Sequence, residues 1–167
     1  MANICYNYLT VESERAEEIL NSVGNSDHDI DFNILKPMPE NVTSLINPET
    51  NEAFKGQRDW GWVNIGCPGV PQTTDVITHS DNEFHVAFET QWAPPIAWFN
   101  ELGRLTAEAE LDKSKPSVIE LEYAEYDTEF AGLLTYVREP SGKEYFTQTK
   151  YEGEALAEAL GHTDYII

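Results

Sequence analysis

The residues best suited to chemistry in this sequence are carboxylates in a stretch that has no basic residue. Between Pro116 and Arg138 the chain has no Lys, Arg or His, yet it contains five acidic residues, Glu120, Glu122, Glu125, Asp127 and Glu129. Residues 118–123 alternate apolar and acidic side chains, so Glu120 and Glu122 are predicted to project from one side of a strand, about 6.6 Å apart. Three more acids precede this strand in a charged linker, Glu108, Glu110 and Asp112. Carboxylates held in a row can pair with Lys and Arg and can imitate duplex phosphates, which recur about every 3.4 Å of rise along each strand.

A second acidic cluster has the spacing of a metal-binding loop but lacks two of its essential residues. Asp27, Asp29 and Asp31 match the opening of a calcium loop, whereas Phe32 stands where that loop needs Gly and Met38 where it needs Glu. The four histidines form no compact ligand motif, and no phosphate-binding loop or Gly-x-Ser-x-Gly sequence is present. We therefore predict no catalytic residue, no metal and no cofactor. A metal-dependent hydrolase that uses the three aspartates is retained as an alternative.

Cysteine and tryptophan are the remaining candidates. Cys5 is predicted to be an inert core residue of an apolar strand, and Cys67, in a loop, to be the more exposed and reactive thiol. The tryptophans are predicted to pack in the core, because bases stacked on them would need cationic neighbours. Trp60 and Trp62 fall on one face of a predicted strand, so one of them could anchor a partner. A regulatory interaction module centred on Trp60–Pro71, without nucleic-acid mimicry, is a second alternative.

Composition excludes several classes of function. The 167 residues include 30 Asp and Glu against 10 Lys and Arg, which gives a net charge of −20 and a sequence pI near 4.3. A direct nucleic-acid binder needs a basic footprint that neutralises phosphates, and a polybasic membrane-surface module needs the same kind of patch. So acidic a composition excludes both classes. No apolar run is long enough to span a membrane and no secretory signal is recognisable, so we expect a cytoplasmic protein.

The elements that must position these residues follow from hydrophobic periodicity. Strands are predicted at 4–11, 60–65, 84–90, 118–123, 130–137 and 143–149, the last two forming a hairpin. Helices are predicted after Ser13 (with Ala16, Ile19, Leu20 and Val23 as the apolar stripe), near 52–55, from Pro94 and at 152–160. This interleaving favours one α+β domain over residues 1–167, a two-layer sandwich with helices on one face of a mainly antiparallel sheet. Residues 150–167 are predicted to form a small C-terminal helical extension.

Four segments carry a resemblance to a known family. They are Met1-Ala2-Asn3 with Cys5-x-Asn7-x-Leu9-Thr10-Val11, Phe32-Asn33-x-Leu35-x-Pro37-Met38-Pro39, Phe88-x-Thr90-x-Trp92-x-Pro94-Pro95, and Phe130-Ala131-Gly132 followed by Tyr136. In order and spacing they resemble the YubB-like, ferredoxin-like domain family of phage and conjugative-plasmid proteins, over roughly residues 1–145. The chain departs from the family at Asn64-Ile65-Gly66-Cys67-Pro68, where a Trp-Gly-Thr-Lys-like stretch is usual. The resemblance implies a ferredoxin-like split βαβ fold and a mobile-element origin, and it transfers no catalytic residue.

The acidic row and the implied origin lead to one main hypothesis. The protein is expected to be a non-enzymatic accessory protein of a phage or mobile element that acts in the host cytoplasm. As a DNA mimic it would occupy the basic groove of a host nucleic-acid-binding complex, such as a CRISPR effector or a restriction enzyme. The residues expected to contact that groove are Glu108, Glu110, Asp112, Glu120, Glu122, Glu125, Asp127 and Glu129. The protein itself is expected to bind neither nucleic acid nor membrane.

Overall fold

A computed structural model of the protein describes residues 3–24 and 29–163. This part of the chain is α+β, with one large sheet, a two-stranded sheet and helices of one to four turns. The strands are β1 (Ile4–Glu12), β2 (Ile46–Asn47), β3 (Glu52–Ala53), β4 (Gln72–His79), β5 (Glu83–Gln91), β6 (Ser117–Glu125), β7 (Phe130–Arg138) and β8 (Glu144–Lys150). The α-helices are α1 (Ala16–Val23), α2 (Phe32–Leu35), α3 (Gln57–Asn64), α4 (Ile96–Ala109) and α5 (Gly153–Thr163), and Val42–Ser44 forms a 3₁₀ turn. None of the described helices is long and apolar enough to cross a membrane.

The large sheet has six strands in the order β4-β5-β1-β6-β7-β8, and every neighbouring pair is antiparallel. The first strand, β1, therefore lies in the middle, with β5 on one side and β6 on the other. Its register aligns Tyr8 with Ala87 of β5 and with Glu122 of β6. Side chains on one row of the sheet thus come from segments that are far apart in sequence.

The hydrophobic core lies between the large sheet and α1 and α4. Alternate residues of β1, including Cys5, Leu9 and Val11, face this core, as the predicted strand alternation requires. The buried residues of α1 are Ala16, Ile19, Leu20 and Val23, so the predicted helical stripe is confirmed. From α4 the large side chains of Trp98, Phe99 and Leu102 are fully buried. The predicted strands that correspond to β1, β5, β6, β7 and β8 are confirmed, and so are the helices α4 and α5.

The helix α5 lies on the other face of the sheet. Ala124 of β6 and Ala131 of β7 are cross-strand partners, and both are buried beneath Ala159 of α5. Tyr151 and Leu156 pack at the edge of the same cluster. The expectation that all helices share one face is therefore wrong for α5, because its short apolar stripe covers the small residues at one end of β6 and β7.

Two predicted elements are wrong, and the strands β2 and β4 and the helix α2 were not predicted. Residues 60–65, predicted as a strand, belong to α3, and the helix expected near 52–55 is replaced by β3. In α3 Trp60 is buried whereas Trp62 is 44% exposed, because residues two apart lie on different sides of a helix. Strand β4 was not predicted, because its pairing with β5 shifts register twice and the alternation of apolar and polar residues along it is interrupted.

Candidate functional site

The sheet surface opposite α1 and α4, here called the open face, carries the candidate site. It consists of alternate residues of five strands: Tyr6, Tyr8, Thr10 and Glu12 of β1; Glu83, His85, Ala87 and Glu89 of β5; Val118, Glu120 and Glu122 of β6; Leu133, Thr135 and Val137 of β7; and Tyr145, Thr147 and Thr149 of β8. None of these described strand residues is Lys or Arg. Five of them are Glu, so the open face is an anionic surface in which tyrosines and threonines separate the carboxylates.

Glu120 and Glu122 lie near the middle of the open face, on the same side of β6 as predicted. Both side chains are exposed. Glu120 stands between Thr10 and Thr135, and Glu122 between Tyr8 and Leu133, so neither has a basic residue as its cross-strand partner. These two carboxylates are therefore available to a cationic partner.

Tyr151 links Glu122 to the edge of α5. Its phenol group donates a hydrogen bond to Glu122 Oε2 at 3.0 Å. Burial raises the pKa of Tyr151 to about 12, and the negative charge of Glu122 adds to the effect. A neutral phenol thus holds one oxygen of Glu122 in position without neutralising its charge.

Three further acids of the open face were not among the predicted site residues. Glu12 of β1 is the direct cross-strand partner of Glu83 of β5, and Glu89 stands opposite Tyr6. The His85 Nε2 atom is 3.5 Å from Glu83 Oε2. Burial, with the charges of Glu89 and Asp127, raises the pKa of Tyr6. The alternation of β1 and β5 places these residues opposite the core positions, so their exposure was predictable from the sequence. That the two strands pair, and so bring the acids onto one surface, is known only from the structure.

Glu125 was predicted to contact a partner, and this prediction is wrong. Its side chain is fully buried at the end of β6 and cannot contact a partner. Its carboxylate accepts hydrogen bonds from the backbone amides of Asp127 at 2.9 Å and Thr128 at 2.8 Å, and from the Thr128 hydroxyl. Glu125 therefore holds the β6–β7 turn together.

The other predicted acids lie at the two ends of β6. Asp127 and Glu129 are exposed in the β6–β7 turn, where Glu129 has a φ of 53°. This turn follows the end of β6 that pairs with Cys5 and Tyr6 of β1. On β6, Ala124, which is buried beneath α5, lies between Glu122 and this turn, so Asp127 and Glu129 are separated from Glu120 and Glu122 along that strand.

Glu108, Glu110 and Asp112 belong to the opposite end, where α4 ends before β6 begins. Lys113 Nζ donates to the backbone carbonyl of Glu108 at 3.0 Å, and Lys115 Nζ is 3.8 Å from Asp112 Oδ2. Hydrogen bonds from Ser114 lower the pKa of Asp112, and Lys115 contributes further. The eight predicted residues therefore do not form one row, because α4 packs on the core side of the sheet and its end is partly neutralised by local lysines.

The alternative metal cluster is only partly within the described residues. Asp27 lies outside them, Asp29 is exposed, and Asp31 accepts a hydrogen bond from the Asn33 amide at 2.9 Å as the cap of α2. Within residues 3–24 and 29–163, no three His, Cys, Asp or Glu side chains are grouped so that they could hold a metal ion.

Both cysteines lie in the core. Cys67 is 1% exposed, so the expectation that it is the exposed thiol is wrong. Burial raises the pKa of both thiols, that of Cys67 to about 12, which disfavours the nucleophilic thiolate. The carbonyl of Cys67 lies against Gly61 of α3, where an added methyl group would be 2.9 Å from it.

Comparisons of the chain with protein-family models, with curated proteins and with solved structures found no match.

Proposed function

We propose that this protein is a non-enzymatic binding module whose open face occupies the basic nucleic-acid groove of a host protein. The observation that carries the proposal is the charge of that face. Its described strand residues include Glu12, Glu83, Glu89, Glu120 and Glu122 and no Lys or Arg. A surface of this kind costs self-repulsion that folding does not require, and it complements a cleft lined with Lys and Arg.

The order of the elements supports a ferredoxin-like fold that is extended by β7, β8 and α5. The segment from β1 to β6 follows the ferredoxin-like order β-α-β-β-α-β when α1 and α4 are taken as its helices. Strands β1 and β4, joined through α1, are separated by β5, and strands β5 and β6, joined through α4, are separated by β1. This strand order supports the proposed split βαβ unit. It agrees with the resemblance to the YubB-like family and hence with an origin in a phage or plasmid.

The mechanism we propose is competition with DNA in the host cytoplasm. Glu120 and Glu122 are about 6.6 Å apart along β6, and Glu12 of the adjacent strand β1 is diagonal to Glu120. Glu83 and Glu89 of β5 lie two strands, or about 9.6 Å, from β6. These groups would pair with the groove Lys and Arg that otherwise bind phosphates, as in a CRISPR effector or a restriction enzyme. Long-range attraction would make association fast at low salt and slower as salt is added.

Capture followed by elution with DNA tests this function. The protein is immobilised, exposed to a bacterial lysate at low salt, and washed with a duplex oligonucleotide or with sodium phosphate at the same phosphate concentration. We expect nucleic-acid-binding proteins to be captured and to be released by the duplex but not by free phosphate. Capture by E120K/E122K should fall more than tenfold, because like charges then meet in the interface.

The matched control is E49K/E52K, which changes the net charge equally. Glu49 and Glu52 are exposed around the two-residue strands β2 and β3, away from the open face. This variant should capture the same proteins as the wild type. Equal losses in both double variants, or captured proteins that duplex DNA does not release, would contradict mimicry by the open face.

A hydrophobic interface is the second candidate, because large apolar side chains are exposed between α2 and β4. Ile46 is 59% exposed and Val70 74% exposed, and Trp62 lies on the outer side of α3. A partner held by these residues would remain bound at high salt and would not be released by DNA, so the same capture experiment separates the two candidates.

A further inference from the structure

A pocket of about 120 Å³ lies between α2, α3 and the loop at 66–71. It is on the same side of the sheet as α1 and α4, since α2 and α3 both contact α4. Its floor is apolar and includes the buried side chains of Phe32, Trp60 and Ile65. An engineered apolar cavity of about 150 Å³ binds benzene, and this pocket is somewhat smaller, so its size limits the apolar part of a ligand to one ring or one short branched aliphatic group.

The charge around the pocket is opposite to that of the chain as a whole. Lys36 and Arg58 line it, together with the neutral polar residues Asn33 and Gln57. The residues described as lining it include neither Asp nor Glu, although the chain has 30 of them. Lys36 and Arg58 form no ion pair with any residue in 3–24 or 29–163. Within the described part of the chain, nothing neutralises these two positive charges at the edge of an apolar cavity.

We propose that this pocket binds a small monocarboxylate that carries one aromatic ring or one branched aliphatic group. The apolar part occupies the space above Trp60, and the carboxylate pairs with Arg58 and Lys36. The planar guanidinium fork matches a carboxylate, which it can bind through two parallel hydrogen bonds. A dianionic phosphate would lose more hydration on entering a largely apolar pocket, so the single charge is favoured. The site lies on the opposite side of the sheet from the open face and does not depend on the function proposed for it.

Phenylacetate is a suitable probe because it combines one ring with one carboxylate. Calorimetry measures its dissociation constant, and backbone amide NMR signals locate the site. We expect saturable binding that shifts the signals of residues 57–61 and 69–70. Phenylacetamide, which has nearly the same shape without the charge, should bind about tenfold more weakly, since a hydrogen bond to a charged group is worth at least that factor.

Five variants separate a built site from adventitious binding. R58Q and K36Q should each weaken phenylacetate binding about tenfold, whereas K150Q removes an equal charge from exposed strand β8 and should leave it unchanged. Val70 is exposed beside the pocket, so V70D should repel the carboxylate while the nearly isosteric V70N should not. The proposal is overturned by an absence of shifts at residues 57–61, by equal binding of the acid and the amide, or by unchanged affinity in R58Q and V70D.

Discussion

Glu120 and Glu125 lie on the same strand, yet only Glu120 is able to contact a partner. Glu125 is buried and accepts two backbone amides and one hydroxyl in the β6–β7 turn. Hydrogen bonds to a charged group contribute about 1.5–3 kcal/mol, and the loss of the carboxylate leaves buried amides unsatisfied. Removal of the Glu125 side chain should therefore lower stability, whereas removal of the Glu120 side chain should weaken binding.

We expect Glu125→Ala to lower the free energy of unfolding by at least about 1.5–3 kcal/mol, the contribution of a single hydrogen bond to a charged group, because three such bonds are lost. Glu120→Ala should change it by no more than about 0.5 kcal/mol, as is usual for an exposed side chain. Urea denaturation followed by circular dichroism measures both variants. A urea midpoint for Glu125→Ala equal to that of the wild type would mean that the turn is held by other contacts.

The burial of Glu125 could not have been read from the sequence. A side chain that accepts the amides two and three positions ahead is typical of Asp, Asn, Ser and Thr rather than of Glu. Alternation placed Glu120 and Glu122 correctly because it depends only on the strand geometry. The acids of β1 and β5 follow the same rule, but their contribution to one surface depends on strand pairing, which no local pattern encodes.

At the scale of elements, the contact of α4 with β7 depends on Gly103. An added methyl group at this position would come within 2.3 Å of the Tyr136 ring, which is itself buried. The helix can therefore approach the sheet closely only where it has no side chain. This contact fixes the position of α4 above β7 and so the packing of the core behind the open face.

Gly103→Ala should lower the free energy of unfolding by about 1–3 kcal/mol, because overpacking of the core outweighs the better helix propensity of Ala. The control is Gly161→Ala in α5, since no described atom lies within 4 Å of the added methyl group. The control should be neutral or more stable by up to about 1 kcal/mol. Chemical denaturation compares the two variants, and a stabilised Gly103→Ala would show that Tyr136 moves away without cost.

The sequence predicted an element correctly where a single hydrophobic period runs through the segment. It predicted the wrong element where strand-like and helix-like spacings both occur. The stripe of α1 and the alternation of β6 were sufficient for those two elements. In α3 the spacing of Trp60 and Trp62 imitates a strand, although the Asn64 side chain donates to the Trp60 carbonyl four residues back, within the same helix. The sequence of α5 predicted a helix, but the side of the sheet that it covers depends on Ala124 and Ala131, whose small size signals nothing locally.

For the molecule as a whole, the excess of carboxylates opposes folding. In the described part of the chain, three ion pairs join Lys or Arg to a carboxylate, namely Arg15–Glu18, Arg104–Glu101 and Lys115–Asp112. Each spans only three residues and is exposed, so each contributes little. Against them stand a net charge of −20 and the directly opposed Glu12 and Glu83.

We therefore expect the melting temperature to rise when KCl is increased from about 10 to about 100 mM, over which the screening length falls from about 30 to about 10 Å. A gain of 1 kcal/mol corresponds to about 2–4 °C in a chain of this size. Scanning calorimetry measures the shift. Because the same salt weakens binding to a basic groove, stability and affinity should change in opposite directions. A melting temperature that falls with added KCl would mean that attractive pairs dominate the charge interactions.

The opposed carboxylates of Glu12 and Glu83 give the open face a further property. A Lys or Arg inserted between them would gain two attractions and would also end a repulsion that the free protein bears. On the proposed function, a Lys or Arg of the target supplies this positive charge. Binding would then stabilise the pairing of β1 with β5, and a stable pairing would favour binding. The protein would then be most firmly folded at the moment when it blocks its target.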